Sequence, residues 1–242
     1  MKSPIDAYTF RARLLPPLLT VLPAALAIIA FYPDGATWWT PLWAAIVACG
    51  GTFLIAELGR DAGRDKEPQL YERWGGKPTT QRLRHRDASN QQLLTRYHKR
   101  LQELQPGLIF PTAEQEHANP READETYEAA ANYLREHTRD HSKFHLVFQA
   151  LCEYGFRRNL WGLKPIGIGI AFLSTLATGF VLFFQQGLAL IPESPALLGV
   201  TVLNALFVMG WLVRIRPSWL KTTAFAYADR LLATCEVLQP AA

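Results

Sequence analysis

Ionised side chains are almost missing from two long stretches of this 242-residue chain. Outside their short connecting loops, residues 14–58 and 163–213 carry only Glu57 and Lys164, each at an edge. That scarcity excludes an ordinary soluble protein, because one small core cannot take in four nearly charge-free helices. Cysteine is scarce as well. Cys49, Cys152 and Cys235 stand far apart without CxxC spacing, which excludes a disulfide framework or zinc ribbon and suits a reducing compartment. No stretch alternates with the period of a strand. Catalytic signatures are missing too: there is no GxSxG, no HExxH, no Walker loop and no DxD pair. His85-Arg86-Asp87 matches a kinase triplet, but neither a glycine loop nor a DFG accompanies it. An enzyme has no positive support, and no cofactor is expected.

What is present is distributed between two solvents. Mean hydropathy is +0.01 because apolar stretches are averaged with residues 59–162, which hold most of the charge and all six histidines. Crossing about 30 Å of hydrocarbon takes roughly 20 apolar residues at 1.5 Å each. Four segments meet this: about 14–32, 39–58, 165–191 and 196–213. Lys2, Arg11 and Arg13 precede the first of them as in a secretory signal. That run is long enough to span, however, and no small-x-small cleavage site follows at the right depth, so it reads as a retained helix.

Orientation follows from Lys and Arg. The loops 33–41 and 193–195 contain none. The opposite ends carry Arg11 and Arg13, then Arg60, Arg64 and Lys66, then Arg157, Arg158 and Lys164, then Arg214, Arg216 and Lys221. The positive-inside rule makes that side cytoplasmic, so both termini lie in the cytoplasm of a multi-pass inner-membrane protein. Net charge of +4 and a pI near 9.0 are thereby explained by topology before nucleic acid. Trp38, Trp39 and Trp43 fall near the outer boundary, and Trp161, Trp211 and Trp219 near the cytoplasmic one, where amphipathic rings are favoured. The expected fold is an all-α membrane protein with two transmembrane hairpins flanking a helical cytoplasmic domain. The divisions are 1–58, 59–162, 163–213 and a cytoplasmic amphipathic tail, 214–242.

Within the spans, Pro16, Pro17 and Pro23 interrupt the first helix, and Pro23 in particular marks a bend or a packing irregularity. Gly50, Gly51, Gly167, Gly169, Gly179 and Gly210 allow helices to approach closely, within or between chains. Asn204 lies mid-span, where it lines a wet cavity or bonds another helix. Pro23, Asn204, Gly167 and Gly169 are the gating or pore candidates.

In the cytoplasmic domain, residues 59–86 read as a basic Gly/Pro loop. Leu93, Leu94, Tyr97, Leu101 and Leu104 then repeat at helical spacing after a cap at Ser89 or Asn90, and the helix ends at Pro106-Gly107. Asn119-Pro120 starts a second helix with Glu122, Asp124 and Glu125 in its first turns. A third runs from Thr138 or Asp140 to Tyr154, with Gly155 as its stop. The tail helix, 217–238, carries a near-heptad seam for this domain or a neighbouring subunit.

The segment WGGKPTT followed by RLRHRD is the most unusual local sequence. Two glycines can expose backbone amides, and Lys77, Thr79, Thr80, Arg82, Arg84 and Arg86 can surround a phosphate-bearing nucleotide or oligonucleotide. The competing reading is contact with anionic headgroups of the lipid bilayer or a plain structural turn. His137 and His141 could share a metal on a continuous helix, with His145 one turn further, but the favoured reading is a solvated polar face and no metal site is expected. In YGFRRNLWGLKP, Arg157, Arg158, Trp161 and Lys164 suit a membrane interface and join the last cytoplasmic helix to the third span.

The layout, with WGGKPTT…RLRHRD and RRNLWGLKP, resembles small bacterial four-span membrane proteins that act as effectors of anti-phage defence systems, some of them paired with nucleotidyltransferases. The resemblance implies a gated homo-oligomer that permeabilises the inner membrane, with a nucleotide ligand and a partner nucleotidyltransferase. A non-conducting scaffold or sensor and, more weakly, a membrane-anchored enzyme are the other readings.

Overall fold

The computed structural model describes residues 8–32, 51–186 and 194–239. Every regular element among them is helical. A π-helical turn, Thr9–Leu14, runs into α1, Leu15–Phe31. Pro16 and Pro17 open α1 directly after this turn and have no N–H to give its carbonyls; one of these, Ala12 O, accepts from Asn159 instead. Pro23 lies inside α1 and deprives the Leu19 carbonyl of its helical donor. Next come α2 (Gly51–Asp65), α3 (Glu67–Trp74), α4 (Pro78–Leu83), α5 (Gln91–Leu104), α6 (Ala113–Ala118) and α7 (Pro120–His137). The order ends with α8 (His145–Gln186), α9 (Pro195–Val213), α10 (Pro217–Ala233) and a 3-10 turn, Thr234–Glu236.

Three helices are long and apolar enough to cross a membrane, over Phe10–Phe31, His145–Phe184 and Pro195–Val213. They carry the first, third and fourth expected spans. Residues 39–50 of the second span, both outer loops and residues 187–191 lie outside the described residues, apart from Tyr32 and Ser194 at their edges.

Local expectations divide clearly. Asn90 caps α5 by accepting from Leu93 N, and Asn119 caps α7 by accepting from Glu122 N with Pro120 as the first residue. The basic stretch 59–86, by contrast, is mainly helical rather than a loop, because α2 continues to Asp65 and α3 and α4 follow. Gly59 and Gly63 serve close approach, and Gly75 and Gly76 make a turn, as described below. The third cytoplasmic helix starts at His145, not at Thr138 or Asp140. Residues 138–144 form turns in which Asp140 accepts from the backbone of Ser142 and Lys143. Nor does Gly155 stop it. α8 runs unbroken for 42 residues, and a Cβ on Gly155 would lie 3.0 Å from that of Ala12. Gly155 is therefore a packing residue.

The chain divides into two compact units. One comprises Met1–Glu67 and Gly155–Leu220; the other comprises Pro68–Tyr154 and Lys221–Ala242. The second unit has its own core, in which Leu83, Leu101, Tyr127 and Leu134 pack with Leu231 and Leu232 from α10. The tail helix is thus an integral layer of this unit. The unit contains fourteen Lys or Arg and fourteen Asp or Glu, so the excess of +4 resides wholly in the unit that bears the apolar helices.

Candidate functional site

The WGGKPTT…RLRHRD motif folds into a knot of ion pairs. Gly75 and Gly76 have φ of +86° and +131°, the left-handed region that glycine enters freely. The turn they make presents carbonyls, not amides, to the motif's cations and amides. Gly75 O accepts from Arg84 Nη1 at 2.7 Å, and Gly76 O accepts from Gln81 Nε2 at 2.6 Å. The Gly75 and Gly76 amides bond back to the end of α3. Such a turn binds a cation, and the cation is Arg84.

Each of the four expected anion-binding side chains meets a carboxylate of its own unit. Lys77 pairs with Glu128 at 2.6 Å and Arg82 with Asp229 at 2.7 Å. Arg84 forks onto Asp124 and also meets Asp87. Arg86 reaches Glu116 at 3.2 Å and Asp124 at 3.5 Å. Thr79 and Thr80 are buried. Arg84 and Arg86 share Asp124, whereas Lys77 and Arg82 pair with separate carboxylates, so each cation is neutralised within the unit in place of an open cradle of free cations. Burial works against the charge on Arg84, yet its bonds to Asp124 and Asp87 outweigh this and raise its pKa. Arg86, with a side chain 40 % exposed, faces an open cavity shared with His85, Gln91 and His117.

Glu116 is the centre of the knot. It is 2 % exposed and accepts from His85 N at 2.7 Å, Tyr127 OH at 2.7 Å, Arg86 N at 3.3 Å and Arg86 Nη1. Burial raises its pKa, but the donors of Tyr127, His85 and Arg86 prevail and leave it below the ordinary carboxylate value. Burial, then Glu116, pushes the Tyr127 hydroxyl far above its usual range, so it stays a donor. His98 stacks on Phe110 with ring centroids 4.1 Å apart and donates Nε2–H to Leu83 O at 2.8 Å.

Burial holds His98 down to a pKa of about 4. An unfolded chain takes up this proton near pH 6.5, whereas the folded chain refuses it until about pH 4. The stability contributed by neutral His98 is therefore full above pH 6.5 and falls by about 3 kcal/mol as the pH approaches 4. The Glu116 contribution is lost only lower, as the pH falls below the ordinary carboxylate range. Thermal melts of the detergent-solubilised chain between pH 7 and 4.5 should show a steep decline that His98→Phe flattens. An equal decline in that variant would refute the assignment.

The second cluster lies in YGFRRNLWGLKP, which belongs to the other unit from Gly155 onward and which the sequence offers as a membrane interface joined to the third span. Asn159 is 1 % exposed and donates Nδ2–H to Ala12 O at 2.7 Å. Arg158 meets Glu67 at 3.4 Å. Lys66 donates to Gly162 O at 2.7 Å, Arg157 to Trp219 O at 2.8 Å, and Lys164 to Ile215 O at 2.6 Å. A Cβ on Gly162 would collide with the backbone of Ala62 and Gly63. Trp161 packs beside the core formed by Leu160, Ala171, Trp211 and Ile215. The motif thus ties α8 to the π-helical turn, to α2 and to the α9–α10 link. Its sequence signal was the juxtaposition of a small residue and an amide among basic residues.

The remaining candidates are dispersed. Gly167 lies against the Trp211 ring, while a Cβ on Gly169 would meet nothing within 4 Å. Asn204 is fully buried, and neither of its side-chain polar atoms has a hydrogen-bond partner among the described residues. His137 and His141 do not share one helix: His137 stacks on Tyr133, and His141 on Phe148. No family model, curated protein or solved structure matches this chain.

Proposed function

We propose that this chain is a gated, oligomeric effector of the bacterial inner membrane, with four spans, both termini in the cytoplasm, and a helical cytoplasmic unit that controls ion passage. The observation that carries this reading is α8. Its first turns belong to the cytoplasmic unit, and its remainder is an apolar helix able to cross a membrane, with no break at Gly155. A helix has no soft joint unless proline, a bulge or an inserted group supplies one. In α8 Pro165 supplies such a joint, at the start of the apolar stretch, so a disturbance of residues 145–154 is carried as far as Pro165, where the helix can bend. The neutral cytoplasmic unit and the basic membrane unit support the orientation. Several copies are needed, since so few spans in one chain leave little room for a conduit. The phosphate of a nucleotide, made by a partner nucleotidyltransferase, would enter beside Arg86 and exchange with Glu116 or Asp124. Such a ligand shifts the gate only by its difference in affinity between the two states.

The test is membrane depolarisation on induced expression, read with a voltage-sensitive dye. Wild type should depolarise cells once activated. Glu153→Pro, at an exposed position of α8, should abolish the effect while the chain stays membrane-bound, and Glu153→Ala should preserve it. Integration without depolarisation under any condition would reject the pore in favour of a non-conducting scaffold.

A further inference from the structure

An apolar groove of about 330 Å³ lies within the membrane unit. Leu19 of α1, Leu160 of α8, and Leu203, Phe207, Gly210 and Trp211 of α9 line it, and Arg214 stands at its end. From residue 203 to residue 214 the helix advances about 17 Å, the scale of an extended hydrocarbon tail. The groove therefore has an oily body and a cationic mouth.

The mouth is basic beyond Arg214. Lys164 and Arg216 lie on the same side, and none of these three forms an ion pair with a carboxylate among the described residues. Elsewhere in this unit the cations Arg13, Arg60 and Arg158 do have acidic partners. Arg214 lies 5.1 Å over the Trp219 ring. Cations at the polar end of an apolar groove complement a phosphate-bearing headgroup attached to an acyl chain.

We infer that this groove is a specific site for an anionic glycerophospholipid, with one acyl chain along α9 and the headgroup phosphate on Arg214, flanked by Lys164 and Arg216. The inference rests on the membrane reading above and goes beyond it by naming a ligand and a place. A zwitterionic lipid fills the groove equally well and carries the same phosphate, but its ammonium cancels the net charge and is repelled by the cluster of Arg214, Lys164 and Arg216. A free phosphate meets the cations but forgoes the groove. The occupant is therefore the intact anionic lipid.

Gly210 makes the site testable without harming the fold. A Cβ there meets nothing within 4 Å, so a larger side chain grows into the groove rather than into the protein. Gly210→Leu also exchanges a poor helix former for a good one. The experiment is native mass spectrometry of the full chain in detergent, titrated with phosphatidylglycerol, with phosphatidylcholine of the same acyl chains, and with glycerol phosphate. Circular dichroism melts and alkaline carbonate extraction of membranes accompany each variant. Wild type should retain phosphatidylglycerol about tenfold better than phosphatidylcholine, as expected for a few basic residues near a phosphate, and should not retain glycerol phosphate. Gly210→Leu should lose both lipids. Arg214→Gln should lose the preference while still holding lipid. Equal retention of the two lipids by wild type, or wild-type retention by a folded Gly210→Leu, overturns the inference. Release of the chain by carbonate would instead overturn the membrane reading and the inference with it, so the two failures are distinguishable.

Discussion

Gly162→Ala should lower the melting temperature of the detergent-solubilised chain by about 10 °C, the largest effect expected of any single methyl group here. At this point α2 and α8 touch backbone to backbone. The new Cβ would fall on the carbonyl of Ala62 and the amide of Gly63. In the opposite direction, a Cβ on Gly63 would come within 2.5 Å of Asn159 Oδ1 and 2.9 Å of Asn159 Cα. Backbone atoms in two helices cannot rotate aside as a side chain can, so the helices must separate. Overpacking of this kind costs about 1–3 kcal/mol. Separation also strains the Asn159–Ala12 and Lys66–Gly162 hydrogen bonds, one of which is buried and adds roughly 1 kcal/mol or more. Gly169→Ala is the control. It meets open space and should leave the melt unchanged or slightly raised. If the two alanine variants melt together, the close crossing is not a stabilising contact.

Glu116→Ala should cost about 3–5 kcal/mol and selectively destabilise the unit made of residues 68–154 and 221–242. The carboxylate is the shared acceptor of Tyr127 OH, two backbone amides and the Arg86 guanidinium. Truncation leaves Tyr127, itself 0 % exposed, without an acceptor and creates a cavity beside it. Glu116→Gln keeps the volume but turns one acceptor into a donor facing other donors, so it should recover only part of the loss. Tyr127→Phe removes one hydrogen bond and keeps the stack with Phe110, so it should cost about 1 kcal/mol. Hydrogen exchange resolves the prediction by location. Amides of α5 and α7 should lose protection in Glu116→Ala, and those of α9 should not. Uniform loss across both units, or a Tyr127→Phe effect as large as that of Glu116→Ala, would contradict the central role of the carboxylate.

Local signals in the sequence were the ones that could be read directly. Asn90 and Asn119 cap helices because a short polar side chain beside an apolar periodicity has one natural use, and Pro120 fits only a first turn. Three of the expected spans were evident because length and lack of charge are properties of the segment itself. Glycine misled in both directions. Gly59 and Gly63 suggested a loop and Gly155 a stop, whereas each allows another element to come close. Close approach depends on what lies opposite, and the partner of Gly63 is 99 positions away in Gly162. The same distance problem hid the network around Arg84. Its acid partner Asp124 stands on α7, 40 residues downstream, and that of Arg82 is Asp229, 147 residues away. A run of basic residues announces charge but not the carboxylates that will neutralise it.

The place of α10 in the core of the second unit sets an order of events during synthesis. Leu231, Leu232, Cys235 and Leu238 fill the same interior as Leu83, Leu101 and Leu134. Those residues leave the ribosome only after α8 and α9 have been made. A nascent chain therefore holds residues 68–154 with an unfilled core for the whole time that its last apolar helices are being synthesised. The burial that completes the unit closes only when translation has passed residue 238. A chain cut short before α10 keeps its apolar helices but exposes the seam they left behind, a surface that quality-control proteases and chaperones recognise.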